Sequence, residues 1–297
     1  MIHPRLNNPG GKLRELISQG TVVLPGVYDA ITAKLAQQAG AQALYMTGAG
    51  VTNSRLAVPD IALLTLSEMS DQANNVTQAV QLPVIADADT GFGETMNTIR
   101  TVREYERAGL AGLHMEDQVS PKRCGHLDGK QVIGANEMSE KIAAAVKARG
   151  NPDFFIIART DARSVTGLDD AIERGKRYVD AGADCVFPEG LESESEFESF
   201  RKGVSGPLLA NMTEFGKTPL ISAESFGGLG YNLVIFPMTA FRVMMKAVGE
   251  AYRTIMETGT QAELIERMRT RQELYELIEY PSYEDLDRSL AGDASKR

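Results

Sequence analysis

Short runs of apolar and β-branched residues recur along the chain, and between them lie longer stretches in which apolar positions return every three or four residues. The runs are "TVVLPG" from 21, "QALYMTG" from 42, "LPVIADAD" from 82, "AGLHMEDQ" from 111, "DFFIIARTD" from 153, "ADCVFPEG" from 183, "GPLLANMTE" from 206 and "YNLVIFPM" from 231. The intervening stretches include "DAITAKLAQQAG", "MNTIRTVREYERAG", "EMSEKIAAAVKARG" and "LDDAIERGKRYVDAG", each closed by a glycine, which caps a helix end without strain. Strands alternating with amphipathic helices predict a parallel sheet. Eight such units close most economically into a (β/α)8 barrel of the TIM type, because closure pairs both edge strands. An open doubly wound sheet would place a Gly-rich dinucleotide turn after its first strand, where this chain has "LPGVYDA".

After the eighth run the chain continues through "AFRVMMKAVGEAYRTIMETG" and "QAELIERMRTRQELYELI". These helices exceed what a barrel needs. The expected organisation is therefore one barrel domain over 1–297, with a C-terminal helical extension from about 238 that packs on a neighbouring subunit. Residues 286–297 read as a frayed tail.

Composition narrows the function classes. Hydrophobic residues at 43% and charged residues at 24% suffice for a full core. The net charge of −9 argues against a nucleic-acid surface, which needs clustered Lys and Arg. The first residues lack the apolar core of a signal peptide, and no run approaches the ~18 apolar residues of a membrane span, so a cytoplasmic protein without membrane or nucleic-acid partners is expected. Cys124 and Cys185 are the only cysteines, too few for a disulfide framework. Cys185 sits in an apolar strand run and reads as core.

In such a barrel the active site is built at the C-terminal ends of the strands. The runs end in Tyr45 and Thr47, Asp87 and Asp89, Glu116 and Asp117, Arg159 and Asp161, Glu189, and Asn211 and Thr213. Any one of these also reads as a helix cap or turn residue; their coincidence at one mouth points to a site. Asp87 and Asp89 are two apart, which in an extended strand turns both side chains to one face. Two carboxylates so close call for a cation, and hard oxygen donors without a compact His/Cys set favour Mg2+, or Mn2+ in its place, with Glu116 reaching the ion through a water. Arg159 offers a bidentate fork to a substrate carboxylate or neutralises Glu189. His114 lies on the same strand face as Glu116 and reads as filling a barrel layer. "PKRCGH" at 121–126 sets Cys124 among Lys122, Arg123 and His126, cations that favour the thiolate and allow proton exchange near neutral pH.

Taken in order, "DADTGFG", "HMEDQ", "PKRCGH", "ARTDA", "FPEG" and "NMTEFG" resemble the isocitrate lyase and phosphoenolpyruvate mutase superfamily over nearly the whole chain. "KRCGH" is similar to the active-site loop of its lyase branch. The length leaves no room for the insertions of isocitrate lyases proper, so the resemblance is closest to the 2-methylisocitrate lyases. The 2,3-dimethylmalate lyases are the near rival, and phosphonopyruvate mutases and hydrolases a more distant one.

The resemblance implies a Mg2+-dependent retro-aldol cleavage of 2-methylisocitrate to pyruvate and succinate, as in propionate catabolism, by a homotetramer whose C-terminal helices are exchanged between barrels. It implies that Asp87 and Asp89 bind metal, with Glu116 a water-mediated partner and Asp60 of "VPD" nearby. Tyr45, Thr47, Gly48 and Ala49 would line the pyruvate side. Lys122, Gly125, His126, Arg159, Glu189, Asn211, Thr213 and Arg242 would hold substrate. Cys124 would donate the proton that quenches the leaving carbanion, with Arg159, Tyr45, Asp60, Glu116 and His126 completing the catalytic set. The base stays open among Tyr45, Asp60 and a metal-bound hydroxide. "YMTGAG" in place of "YLSGGG", and "GVYDA" in place of a more Asn-containing first loop, bear on which acid is cleaved.

Overall fold

The structure, a computed structural model, describes residues 4–123, 125 and 129–294. All eight apolar runs form strands: β1 (Val22–Val27), β2 (Leu44–Met46), β3 (Val84–Asp87), β4 (Gly112–Glu116), β5 (Phe155–Thr160), β6 (Cys185–Pro188), β7 (Leu209–Asn211) and β8 (Leu233–Phe236). The helices are α1 (Pro9–Gln19), α2 (Ala30–Gln38), α3 (Gly48–Leu56), α4 (Leu66–Ala79), α5 (Thr95–Arg107), α6 (Ala135–Ala148), α7 (Leu168–Asp180), α8 (Glu194–Gly203), α9 (Ala223–Gly228), α10 (Thr239–Thr258), α11 (Arg271–Leu277) and α12 (Tyr280–Ala294). The strands are parallel and ordered β6-β5-β4-β3-β2-β1-β8-β7, and a single parallel bridge, Val186 to Leu208, joins the two ends of that sheet into a barrel.

Alternation along the strands divides the core in two. Inward residues such as Leu24, Tyr45, Ile85, Ile157, Phe187, Leu209 and Ile235 fill the barrel, together with Leu13 and Leu16 of α1 from the N-terminal end. Outward residues such as Val186, Leu208, Ala210 and Val234 pack under helices through Phe197, Phe200 and Phe226. Cys185 belongs to the interior, where burial pushes its thiol well up. Local sequence fixes the helix starts. Asp29 and Thr32, and likewise Thr65 and Glu68, form reciprocal capping boxes on α2 and α4. Thr47, expected at a strand end, instead caps α3 by accepting a hydrogen bond from the Gly50 amide.

The chain divides into two compact units, Arg5–Ala240 and Met1–Pro4 with Phe241–Arg297. The second holds most of α10, a 3-10 turn (Ala262–Arg267), α11 and α12. It leaves Val243, Met245, Tyr252, Met256 and Leu290 exposed. Residues 286–294, expected as a frayed tail, continue α12. Among the described residues no helix is long and apolar enough to cross a membrane.

Candidate active site

Two charged centres occupy the C-terminal mouth of the barrel. The first forms where β3 ends. Asp87 accepts a 2.8 Å hydrogen bond from the Asp89 amide on its own carboxylate, while its main-chain oxygen accepts one from the Tyr105 hydroxyl at 2.8 Å. Asp89 lies beyond the strand at φ +47°, in a turn closed by Gly91 N donating to Ala88 O at 2.7 Å. The reading that strand alternation aligns the two aspartates is thus corrected: a left-handed turn, which Asp tolerates, carries Asp89 round. Lys122 then ties the turn to the α3–α4 loop, its ammonium 2.9 Å from Asp89 and 2.6 Å from Asp60. Gly48, the first residue of α3, lies against the Asp87 carboxylate so closely that any Cβ would collide with it.

The charges at this centre do not balance. Burial pushes the Asp87 carboxyl up and that of Asp89 up to about 6, against the opposing pull of Lys122. Burial also works against the Lys122 cation, but Asp89, Asp87, Glu116 and Asp60 outweigh it and hold its pKa well above the ordinary lysine value. Buried carboxylates sharing one ammonium favour a further cation. Among the described residues no group of three or more His, Cys, Asp or Glu side chains makes a closed metal cage. The donor set instead suits an ion such as Mg2+ that takes one or two carboxylates and keeps its waters.

The second centre is Arg159 on β5. Strand pairing sets it between Glu116 of β4 and Phe187 of β6. Its Nε and Nη2 donate to Asp161 at 2.9 and 3.2 Å, its Nη1 lies 3.4 Å from Glu189, and its guanidinium stands 5.1 Å over the Phe187 ring. Glu116 lies 3.2 Å from Nε, but that N–H is aimed at Asp161, so neither Glu116 oxygen has a hydrogen bond among the described residues. Burial raises the Glu116 carboxyl well above the usual range despite Arg159. Glu189 also accepts from the Gly190 amide at 3.0 Å and from the Asn211 side chain at 3.1 and 3.3 Å.

Tyr45 and His114 join the two centres, with a 2.8 Å hydrogen bond between the phenol and Nε2. Burial, with Arg159 and Lys122, lowers the His114 pKa to about 3, so the ring is neutral and its 3.7 Å approach to Asp87 is no ion pair. Burial and the Asp87 charge keep the Tyr45 phenol protonated.

One cavity gathers most of the expected residues: Tyr45, Thr47, Ala49, Asp60, Asp87, Lys122, Gly125, Arg159, Glu189, Asn211 and Thr213 all line it. Gly48 supports Asp87 from α3, and Glu116 is buried behind Arg159. Asp89 lines the neighbouring cleft and reaches the first cavity through Lys122. Arg242 belongs to α10 in the C-terminal unit. Cys124 and His126 lie outside the described residues; their neighbours Arg123 and Gly125 both line the cavity. Sequence reasoning missed the apolar wall of Phe187, Ile235, Pro237 and Met238. The "VIFPM" ending of the eighth run was its one signal. It also missed the partners beneath Arg159, where Asp117 accepts from the Thr160 hydroxyl, the Tyr178 hydroxyl and the Asp161 amide.

Comparisons with known proteins give the family. Residues 13–256 match the phosphoenolpyruvate phosphomutase family model. The chain is 51% identical over 292 residues to a 2-methylisocitrate lyase of Aeropyrum pernix, covering 98% of this chain and 94% of that one. It is 45% identical over 285 residues to the 2,3-dimethylmalate lyase of Eubacterium barkeri, covering 96% and 99%. Among solved structures, a phosphonopyruvate hydrolase in complex with oxalate and Mg2+ superposes with a TM-score of 0.86 at 28% identity, covering 95% of this chain and 99% of that one. By family match and by identity over nearly its full length, the chain belongs to the phosphoenolpyruvate phosphomutase family, within the isocitrate lyase and phosphoenolpyruvate mutase superfamily.

Proposed function

We propose that this protein is a carbon–carbon lyase that cleaves 2-methylisocitrate to pyruvate and succinate. The observation that carries the reading is one cavity holding two cationic centres, Lys122 and Arg159, beside an apolar wall. A substrate with several carboxylates and one methyl group needs both. The relatives named 2-methylisocitrate lyase and 2,3-dimethylmalate lyase support the reaction class.

Cleavage requires that the hydroxyl lose its proton, that the carbon–carbon bond break with its electron pair moving to the succinate fragment, and that this fragment gain a proton. Arg159, already oriented by Asp161 and Glu189, donates to the carboxylate on which that charge spreads. Asn211 and Thr213 extend the same wall of donors. Tyr45 is a hydrogen-bond donor at the pyruvate side rather than the base, since its environment holds the phenol protonated. Asp60, 2.6 Å from Lys122 in the same cavity, is the other side chain among the candidate bases. Cys124, whose chain neighbours line the cavity, supplies the final proton, with His126 beside it in sequence. Asp87 and Asp89, with Glu116 through water, would hold Mg2+, and Gly48 keeps the approach to Asp87 clear of side-chain atoms. When bound, the ion would withdraw charge from the substrate hydroxyl and its neighbouring carboxylate. The reading places the enzyme in the cytoplasm and in propionate catabolism. It keeps one barrel domain with a helical extension from about 238, assembled as a homotetramer through the exposed apolar side chains of α10.

The test is pyruvate release from 2-methylisocitrate and 2,3-dimethylmalate, and glyoxylate release from isocitrate, with Mg2+ and after EDTA treatment. Preference for 2-methylisocitrate, abolished by EDTA and restored by Mg2+, is expected, with turnover lost in Cys124→Ser. Preference for dimethylmalate would keep the chemistry and change the substrate. Turnover of phosphonopyruvate alone, undiminished in Cys124→Ser, would overturn the reading.

A further inference from the structure

Lys130 lies outside the cavity lining, yet its ammonium is buried, with 1% of the side chain exposed. Among the described residues it holds two groups. One is the Asp161 carboxylate at 2.8 Å, the same group that receives the Arg159 fork; the other is the main-chain oxygen of Gly125. We propose that Lys130 is a positioning residue: it fastens the turn carrying Gly125 to the strand end carrying Arg159 and Asp161, and turnover depends on that fastening.

The path of the chain makes the fastening matter. Segment 119–131 is closed at its base by Val119 N donating to Gln131 O at 2.8 Å and by the Gln118–Val132 bridge. Its outgoing leg is held by the Gln118 side chain, which accepts from the Arg123 amide and donates to the Arg123 carbonyl, both at 2.9 Å. Lys130 reaches from the returning leg to Gly125. At Gly125 the backbone is packed so closely that a Cβ would come within 2.5 Å of Arg159 Nη2 and of Glu189 Cγ. No side chain therefore fits between the Gly125 backbone and the guanidinium.

The same ammonium sets Arg159 from below. Burial pushes the Asp161 carboxyl up, but Arg159 and Lys130 reverse this and leave it below its ordinary value, so it stays ionised and keeps the fork aligned. Asp117 grips the Asp161 amide from the other side at 2.9 Å. Without Lys130, the guanidinium would be drawn toward Asp161 as that carboxylate's one remaining cation partner among the described residues, and the Gly125 carbonyl would lose a buried charged donor.

The kinetic part of the test rests on the lyase reading, so it is paired with a readout that needs no substrate. Lys130→Met, Lys130→Gln and Lys130→Arg are compared with the parent for kcat, KM, Tm and amide exchange of the peptide spanning 118–131. The proposal expects Lys130→Met and Lys130→Gln to lower kcat at least tenfold while KM moves less than threefold. It expects exchange of the 118–131 peptide to quicken at least tenfold with the barrel strands unchanged, and Lys130→Arg to recover most of both. It is overturned if exchange in that peptide matches the parent, or if kcat falls only in proportion to the folded fraction and Lys130→Arg recovers nothing. Should the parent cleave none of the acids, the lyase reading fails, and the exchange comparison alone decides for or against Lys130. If Lys130→Met does not fold, Lys130→Gln and Lys130→Arg give the same decision.

Discussion

Two arginines stand over phenylalanine rings at opposite ends of the barrel, and their surroundings differ. At the N-terminal end Arg14 lies 4.9 Å over Phe155 and bonds Asp184 at 2.7 Å, while Arg149 takes the other oxygen of Asp184, also at 2.7 Å. Arg14 remains a third exposed. At the mouth Arg159 lies over Phe187, with Asp161, Glu116 and Glu189 around it and almost no exposure. Cations match anions at one end, and carboxylates outnumber the arginine at the other. The balanced set closes the bottom of the barrel in contact with water. The unbalanced one costs desolvation that packing alone would never select, and so marks the end kept for chemistry.

The largest effect should come from replacing Arg159 by Lys, which keeps the charge and removes the fork. We expect kcat/KM to fall by about 10²–10³-fold with Tm little changed; steady-state kinetics showing a loss below fivefold would put the two ends on a par. A middle-sized effect is expected from acid. The Asp161 carboxyl is lowered in the fold, so its stabilisation is fully present above the unfolded value near ~3.9 and is lost as pH falls through the folded value. Unfolding followed from pH 6 to pH 3 should therefore steepen below pH ~4, and Asp161→Asn should flatten that limb. The smallest effect is Arg14→Ala, since a partly exposed pair is worth at most about 1 kcal/mol, or a Tm shift of about 2–4 °C. Its kcat and KM should stay within twofold of the parent. A larger kinetic change would show that the bottom of the barrel also tunes the mouth.

The strands and most of the mouth were legible in the sequence because a parallel barrel strand is buried on both faces. An apolar run then ends abruptly in polar residues where the active site begins. Tyr45, Asp87, Arg159, Glu189 and Asn211 follow from that rule. Asp89 broke the alternation argument because the strand stops at Asp87, and Gly91 and Gly93 were the local signal of the turn. Lys130 and Asp117 were invisible as partners of the Arg159 end because they meet Asp161 from 31 and 44 residues away. No periodicity encodes such pairings. The apolar wall escaped for the opposite reason: Pro237 and Met238 continue a hydrophobic run, and nothing in their type separates a substrate wall from core.

The single Val186–Leu208 bridge gives the ring a zip with one backbone tooth. Just above that seam, Asn211 of β7 donates to Glu189, which directly follows β6. Two side chains that line the cavity therefore double as a clasp across the weakest join. Where the main chain gives the hoop one tooth, this amide and carboxylate give it a second, so the mouth of the barrel also carries part of its closure.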